Sequence, residues 1–125
     1  QIKDLKLEPY VKILPPRKDV EEYYKDGSFF LLTSQSEGFG MVILEAMSFG
    51  IPCVSYDCPA GPRDMITDGL DGFLVEFDNF AELEKATLEL INNEAKMIEF
   101  GNQAFEASKK WNDDNILAEW KKLLN

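Results

Sequence analysis

A chain of 125 residues, 45% of them apolar, is long enough for one domain with a modest hydrophobic core. Its net charge of −10 disfavours nucleic acid and anionic membrane surfaces as partners. No apolar run approaches the ~20 residues that span a bilayer, and the start of the chain is too polar for a signal peptide, so we expect a cytoplasmic domain.

The first half of the chain alternates short apolar runs with stretches of helical character. Residues 11–14 predict a short strand, and a helix opens near Asp19. The continuous apolar run at residues 29–33 is typical of a central parallel strand. The next helix spans residues 41–49 and ends at Gly50, because Pro52 prevents its continuation.

The second half continues the same alternation. Strands are predicted at residues 53–56 and 73–75, with a single-turn helix from Pro62 to Ile66 between them and a turn at residues 68–72. The chain is helical from Asn79, and residues 116–124 close it with an amphipathic helix. The repeating apolar positions of this helical region are Leu83, Leu88, Ile91, Met97, Ile98 and Phe105. Four strands separated by helices predict an α/β fold, a Rossmann-like parallel sheet with flanking helices.

Other side chains carry smaller expectations. Cys53 and Cys58 are predicted to be free thiols, and Trp111 and Trp120 are predicted to be packing residues. An exposed position is the alternative for Trp120. Arg63 is expected to form a surface salt bridge with a nearby aspartate, Asp64 or Asp68, although a contact with phosphate or acceptor is the alternative.

Two carboxylates, Glu37 and Glu45, stand eight positions apart on either side of a Gly-Phe-Gly turn. Glu45 lies in a helix that is apolar almost all round, and no Lys or Arg occurs between Gly27 and Pro62 to neutralise it. A buried carboxylate without a partner costs several kcal/mol or takes up a proton. Some other group must therefore hydrogen-bond Glu45.

This geometry indicates a ligand. If the helix starts near Gly40, the free N–H groups of its first turn favour a diphosphate. Glu45, one turn further in, is suited to accept hydrogen bonds from both hydroxyls of a ribose, and Glu37 from hydroxyls beyond the phosphates. The pattern fits a nucleotide diphosphate joined to a sugar. A solvated loop carboxylate remains the alternative for Glu37. A helix-surface position is the alternative for Glu45, and a plain core position the alternative for Phe39.

The stretch from Glu37 to Glu45 resembles the E-x7-E motif of retaining glycosyltransferases of the GT-B fold, in family four (group 1). The similarity continues through the blocks FFLLTS, EGFG, EAM, GIPCVS, GPRDMI and GFLV, in the family's order and spacing. Within the family, the segment DCPAGPRDMI is most similar to bacterial lipopolysaccharide and capsule hexosyl- or galactosyltransferases.

The resemblance implies that residues 1–125 are a nucleotide-sugar (donor) binding domain fragment. The first strand–helix units and the N-terminal acceptor domain are expected to be missing, so that the fragment alone is inactive. It implies that Glu37 acts at the reacting carbon as the catalytic residue. The residues implied to bind the donor are Glu37, Gly38, Phe39, Gly40, Met41, Val42, Glu45, Pro15 and Pro16.

Pro15 and Pro16 are implied to form a rigid loop that lies against the nucleotide base. A simple strand-to-helix connector remains the alternative for them.

No cofactor and no metal are implied; a nucleotide diphosphate sugar, with a UDP-sugar favoured, is the donor substrate. The expected acceptor is a glycan or glycolipid of the bacterial envelope, and peripheral association of the full-length protein with the inner membrane is the alternative to a purely cytoplasmic location. Open sheet edges are expected to favour a homo-oligomer. The rival interpretations are a GT-B nucleotide-sugar epimerase, a sugar phosphorylase, and a non-catalytic interaction module.

Overall fold

The computed structural model describes residues 1–124, which form a parallel sheet of three strands in the order β1-β2-β3. The strands are β1 (Phe30–Leu32), β2 (Cys53–Asp57) and β3 (Gly72–Glu76). Phe30 pairs with Cys53, and Cys53 pairs in turn with Gly72. The predicted fold class, an α/β Rossmann-like parallel sheet with flanking helices, is confirmed.

Helices connect and cover these strands. They are α1 (Glu21–Asp26), α2 (Met41–Ser48), α3 (Pro62–Met65), α4 (Phe80–Asn92), α5 (Glu94–Ser108), a 3₁₀ turn (Lys109–Trp111) and α6 (Asp113–Leu124). Helix α2 joins β1 to β2, and α3 joins β2 to β3, as parallel strands require crossover connections. Among the helices described over residues 1–124, none combines the length and the apolar character needed to cross a membrane.

The core has two parts, one on each face of the sheet, because β2 is buried on both sides. Cys53 faces a cluster built mainly from α2 and α3, whereas Val54 and Tyr56 face a cluster built from α4. Helix α5 contributes Ala104 to the first cluster and Phe100 to the second. The thiols of Cys53 and Cys58 are buried and free, as predicted.

The predicted strand at residues 11–14 is wrong. These residues form no strand, and the side chain of Ile13 is 84% exposed. A strand exists only through its ladder of hydrogen bonds, and residues 11–14 find no partner strand within residues 1–124. The run at residues 29–33 does form β1, but at the edge of this sheet rather than at its centre; the central position belongs to β2.

The repeating apolar positions of the long helical region lie mostly at the surface. Leu88, Ile91, Ile98 and Phe105 are exposed, and of the six positions only Leu83 is buried and Met97 half-buried. The faces of α4 and α5 that do pack combine large and small residues; their buried members are Leu83, Ala86, Leu90, Phe100, Gly101 and Ala104.

The last two tryptophans differ in their surroundings. The ring of Trp111 packs edge-on against that of Phe39, as the packing prediction required. Trp120, by contrast, is 58% exposed on α6, which agrees with the alternative of an exposed position and not with packing.

The turn predicted at residues 68–72 is present and is held by a buried carboxylate. Gly69 N–H donates to Gly72 C=O at 2.9 Å, and Thr67 N–H donates to Asp71 Oδ1 at 2.7 Å. Asp71 is only 2% exposed, and this burial raises the pKa of its carboxyl. The ionised form therefore costs folding free energy, and protonation removes that cost.

We expect the substitution Asp71→Asn to change the pH dependence of stability. Asparagine keeps an oxygen that can accept from Thr67, and each unit by which the pKa is raised corresponds to about 1.4 kcal/mol. At pH 7 the buried, ionised carboxyl lowers the free energy of unfolding of the wild type. As the pH falls from 7 towards 4 the carboxyl takes up a proton, so the wild type gains stability relative to the variant.

Urea unfolding at several pH values measures this difference. The matched control is Asp68→Asn, because Asp68 also accepts a backbone hydrogen bond, from Leu74 N–H at 3.0 Å, but is exposed. A difference between Asp71→Asn and wild type that is constant with pH would contradict the prediction.

Candidate functional site

The loop after β1 enters α2 through Gly40, the N-cap residue, whose backbone is left-handed (φ +82°). Ile43 N–H donates to Gly40 C=O at 2.9 Å and so closes the first turn. The preceding N–H groups, those of Met41 and Val42, make no backbone hydrogen bond within residues 1–124. The first turn also carries no acidic side chain. This end of α2 therefore offers free N–H groups and the positive end of the helix dipole to an anion.

A second loop supports the turn before α2. Gly61 lies so close to Phe39 that a Cβ atom added to Gly61 would stand 2.3 Å from the Phe39 carbonyl oxygen. The Gly61 N–H donates to Asp64 Oδ2 at 3.1 Å, which ties this loop to the first turn of α3. The start of α3 thus fixes the position of the backbone that leads into α2.

Glu45 is the only acidic side chain of α2 and is half-buried. The hydroxyl of Tyr24, on α1, donates to Glu45 Oε2 at 3.0 Å. Burial, reinforced by this hydrogen bond, raises the pKa of Tyr24 to about 12, so the hydroxyl keeps its proton at neutral pH. The sequence did not identify this partner, because Tyr24 is uncharged and lies 21 residues away from Glu45.

Glu45 also lines a cavity of about 370 Å³ between α2 and the end of α5. The polar side chains around this cavity are Ser48, Ser108, Lys109 and Asn112. Trp111 lines it too, and the Trp111 ring contacts the Phe39 ring at a centroid distance of 5.3 Å. Phe39 therefore packs on one side but is 39% exposed, so it is not a plain core residue, and its part in donor binding stays a prediction.

Glu37 is half-buried in the loop between β1 and α2, next to the exposed Gly38. None of the ion pairs found among residues 1–124 involves Glu37 or Glu45, so neither carboxylate is neutralised there. Within the same residues, no group of three or more His, Cys, Asp or Glu side chains is arranged to hold a metal ion.

The sequence matches the family model described as "Glycosyl transferases group 1" over residues 1–107. The chain belongs to this family. The resemblance read from the E-x7-E motif is thereby confirmed.

Similar proteins carry related names. The glycosyl transferase domain described here is 34% identical over its whole length to the amylovoran biosynthesis glycosyltransferase AmsD of Erwinia amylovora, of which it covers 35%. Over 59 residues (47% of the chain) it is 56% identical to a lipopolysaccharide 1,6-galactosyltransferase of Salmonella typhimurium, covering 16% of that protein.

The fold is shared with a solved structure. A variant of S. aureus TarM, crystallised with fondaparinux, alpha-GlcNAc-glycerol and UDP, superposes with a TM-score of 0.91 at 34% identity. The superposition covers 99% of this chain and 25% of that one. The chain thus spans about a third or less of the length of these relatives.

The structure brings some of the predicted site residues together and leaves others apart. The segment from Glu37 to Val42 and the Glu45 carboxylate belong to one loop–helix unit at the end of β1. Pro15 and Pro16 lie in the exposed segment before α1, and neither lines the cavity beside Glu45. Their role in donor binding stays a prediction.

The predicted partner of Arg63 is wrong. Arg63 Nε pairs with Asp57 Oδ1 at 2.9 Å, not with Asp64 or Asp68. Asp64 follows Arg63 directly on α3, and adjacent residues of a helix do not face each other, so Arg63 pairs instead with Asp57 at the end of β2.

Proposed function

We propose that this chain is the donor-binding part of a retaining hexosyltransferase that uses a UDP-sugar. The observation that carries the proposal is the Glu45 carboxylate, half-buried and un-neutralised, one turn beyond the free N–H groups at the start of α2. Helix α2 carries both features: its N-terminus is suited to bind a diphosphate, and its Glu45 carboxylate is suited to bind a diol. A nucleoside diphosphate carries both of these chemical groups, a diphosphate and a ribose diol, in one molecule.

Each group has a separate part in the proposal. The amides of Met41 and Val42 receive diphosphate oxygens, with the backbone of Gly38, Phe39 and Gly40 leaving room for close approach. Glu45 accepts from the two ribose hydroxyls, one oxygen for each. Glu37, in the loop before the helix, accepts from hydroxyls of the transferred hexose near the reacting carbon.

The proposed reaction retains the configuration of the anomeric carbon. The bond between that carbon and the diphosphate oxygen breaks, and the acceptor hydroxyl attacks from the same face and passes its proton to the departing oxygen. Negative charge grows on the leaving diphosphate, where helix-terminal amides stabilise it. Arg63 is paired with Asp57, so we assign the cations that help this step to residues outside the chain.

The named relatives support the rest of the proposal. TarM was crystallised with UDP, which favours uridine as the base. AmsD is named for amylovoran biosynthesis, and the Salmonella relative for lipopolysaccharide galactosyl transfer. We therefore propose a glycan or glycolipid of the bacterial envelope, lipopolysaccharide or capsule, as the acceptor, recognised through an N-terminal domain. In this proposal the enzyme works in the cytoplasm or at the inner membrane surface.

Titration of the 125-residue chain with UDP, GDP, UDP-glucose and UDP-galactose tests the proposal. We expect weak binding of UDP and UDP-sugars, weaker binding of GDP, and no sugar transfer by this chain alone. Nuclear magnetic resonance shift changes suit weak affinities, and calorimetry gives the heat. A chain that binds none of these nucleotides would support the non-catalytic alternative, and equal affinity for GDP would refute the preference for uridine.

A further inference from the structure

A single hydroxyl group holds the Glu45 carboxylate. Among residues 1–124 the side-chain hydrogen bond to its oxygens comes from Tyr24, at 3.0 Å, while the Ser48 hydroxyl binds the Glu45 backbone carbonyl instead. The direction of the carboxylate is therefore set by the position of the Tyr24 ring.

That ring is itself fixed by aromatic neighbours. It stacks on Phe49, just after the C-terminal end of α2, with ring centroids 5.7 Å apart and an interplanar angle of 18°. It also contacts Phe30 of β1 at 6.2 Å. Tyr24 thus links α1, β1 and α2, so its hydroxyl reaches Glu45 from a defined direction.

A tyrosine differs from a cation as a partner for this carboxylate. A lysine or arginine would neutralise Glu45 and compete for both of its oxygens. A phenol donates one hydrogen bond and leaves the negative charge in place. The two carboxylate oxygens offer about four lone-pair sites, so those not used by Tyr24 remain able to accept from a ligand.

We propose that Tyr24 is a positioning residue for ribose recognition, acting by orienting the Glu45 carboxylate towards the two ribose hydroxyls. This inference rests on the proposed function. Because the pKa of Tyr24 is raised to about 12, the hydroxyl remains a donor throughout the neutral and mildly alkaline range.

The test compares Tyr24→Phe with Tyr23→Phe, using UDP and 2′,3′-dideoxy-UDP as ligands. Tyr24→Phe removes one oxygen and keeps the ring that packs on Phe49. Tyr23 is the matched control because it neighbours Tyr24 on α1 and makes no hydrogen bond to Glu45. Affinities are measured by NMR titration, and thermal unfolding followed by circular dichroism checks the fold of each variant.

We expect Tyr24→Phe to weaken UDP binding about tenfold, the scale of one hydrogen bond to a charged group. It should leave the weaker binding of dideoxy-UDP unchanged, because that ligand has no hydroxyls for Glu45 to accept from. Tyr23→Phe should change neither affinity.

Three results would overturn the inference. Unchanged UDP affinity in Tyr24→Phe, with a wild-type chain that still prefers UDP over dideoxy-UDP, would overturn it and leave the proposed function standing. Equal losses for both ligands would assign Tyr24 to general structure. A wild-type chain that binds both ligands equally, or neither, would overturn the ribose assignment of Glu45 and this inference together.

Discussion

The substitution Glu45→Ala should abolish measurable UDP binding while the fold survives. Two hydrogen bonds from ribose hydroxyls to a charged acceptor contribute about 1.5–3 kcal/mol each. Millimolar affinity corresponds to only about 4 kcal/mol of binding free energy. For a ligand bound this weakly, losing both hydrogen bonds removes most of the affinity.

Stability should respond little to the same change. Alanine is the best helix former, and the substitution also removes a half-buried carboxylate from an otherwise apolar helix. The Tyr24 hydroxyl loses its partner, but Tyr24 is half-exposed and water can replace the carboxylate. Urea unfolding should therefore give a free energy within about 1 kcal/mol of wild type.

Two further variants sharpen this experiment. Glu84→Ala changes an exposed glutamate on α4 and should leave UDP binding intact. Glu45→Gln keeps one acceptor oxygen and replaces the other by an N–H donor, so its affinity should fall between those of wild type and Glu45→Ala. A UDP affinity in Glu45→Ala equal to that of wild type would assign Glu45 to structure and remove the chemical basis of the proposed function.

Local signals in the sequence were sufficient for the elements that surround this site. Gly40 and the apolar run after it predicted the start of α2, and Pro62 at the first helical position predicted α3. Each of these elements is specified by its own residues. The strand predicted at residues 11–14 failed because a strand also needs a partner, which a local pattern does not encode.

The contacts that complete the site could not be predicted from local sequence patterns, because they join residues that are distant in the chain. The Tyr24–Glu45 hydrogen bond joins residues 21 positions apart, and the contact of Gly61 with Phe39 joins residues 22 apart in different loops. The sequence showed that Glu45 requires a hydrogen-bond donor. It did not show which residue is that donor, because nothing in a local pattern distinguishes an uncharged tyrosine on another helix. Only the packing of α1 and α2 against β1 brings the two together.

These two contacts fix the site from opposite sides. Tyr24 sets the direction of the carboxylate inside α2, whereas Gly61 sets the position of the backbone that enters the helix. The proposed ligand has to satisfy both at once, because its ribose and its diphosphate are joined covalently. A displacement at either end should therefore reduce affinity even though neither Tyr24 nor Gly61 is assigned a contact with the ligand.

The substitution Gly61→Ala should cost both stability and binding. Gly61 has φ +88° and ψ −87°, a sparsely populated conformation that costs L-residues about 1–3 kcal/mol, and the new Cβ would meet the Phe39 carbonyl oxygen at 2.3 Å. Forcing an extra carbon into packed backbone adds about 1–3 kcal/mol. We expect a total loss of about 2–6 kcal/mol, less than the whole stability of most domains. Displacement of the turn before α2 should weaken UDP binding at least about tenfold.

The control Gly69→Ala separates the two causes. Gly69 also has a positive φ, +74°, but a Cβ there would meet no atom within 4 Å. It should lose only about 1–3 kcal/mol through backbone strain and bind UDP as wild type does. If the two variants lost equal free energies of unfolding in urea, the close contact between Gly61 and Phe39 would not fix the position of the turn before α2. If Gly61→Ala lost stability but kept its UDP affinity, the entry to α2 would not be where the diphosphate binds.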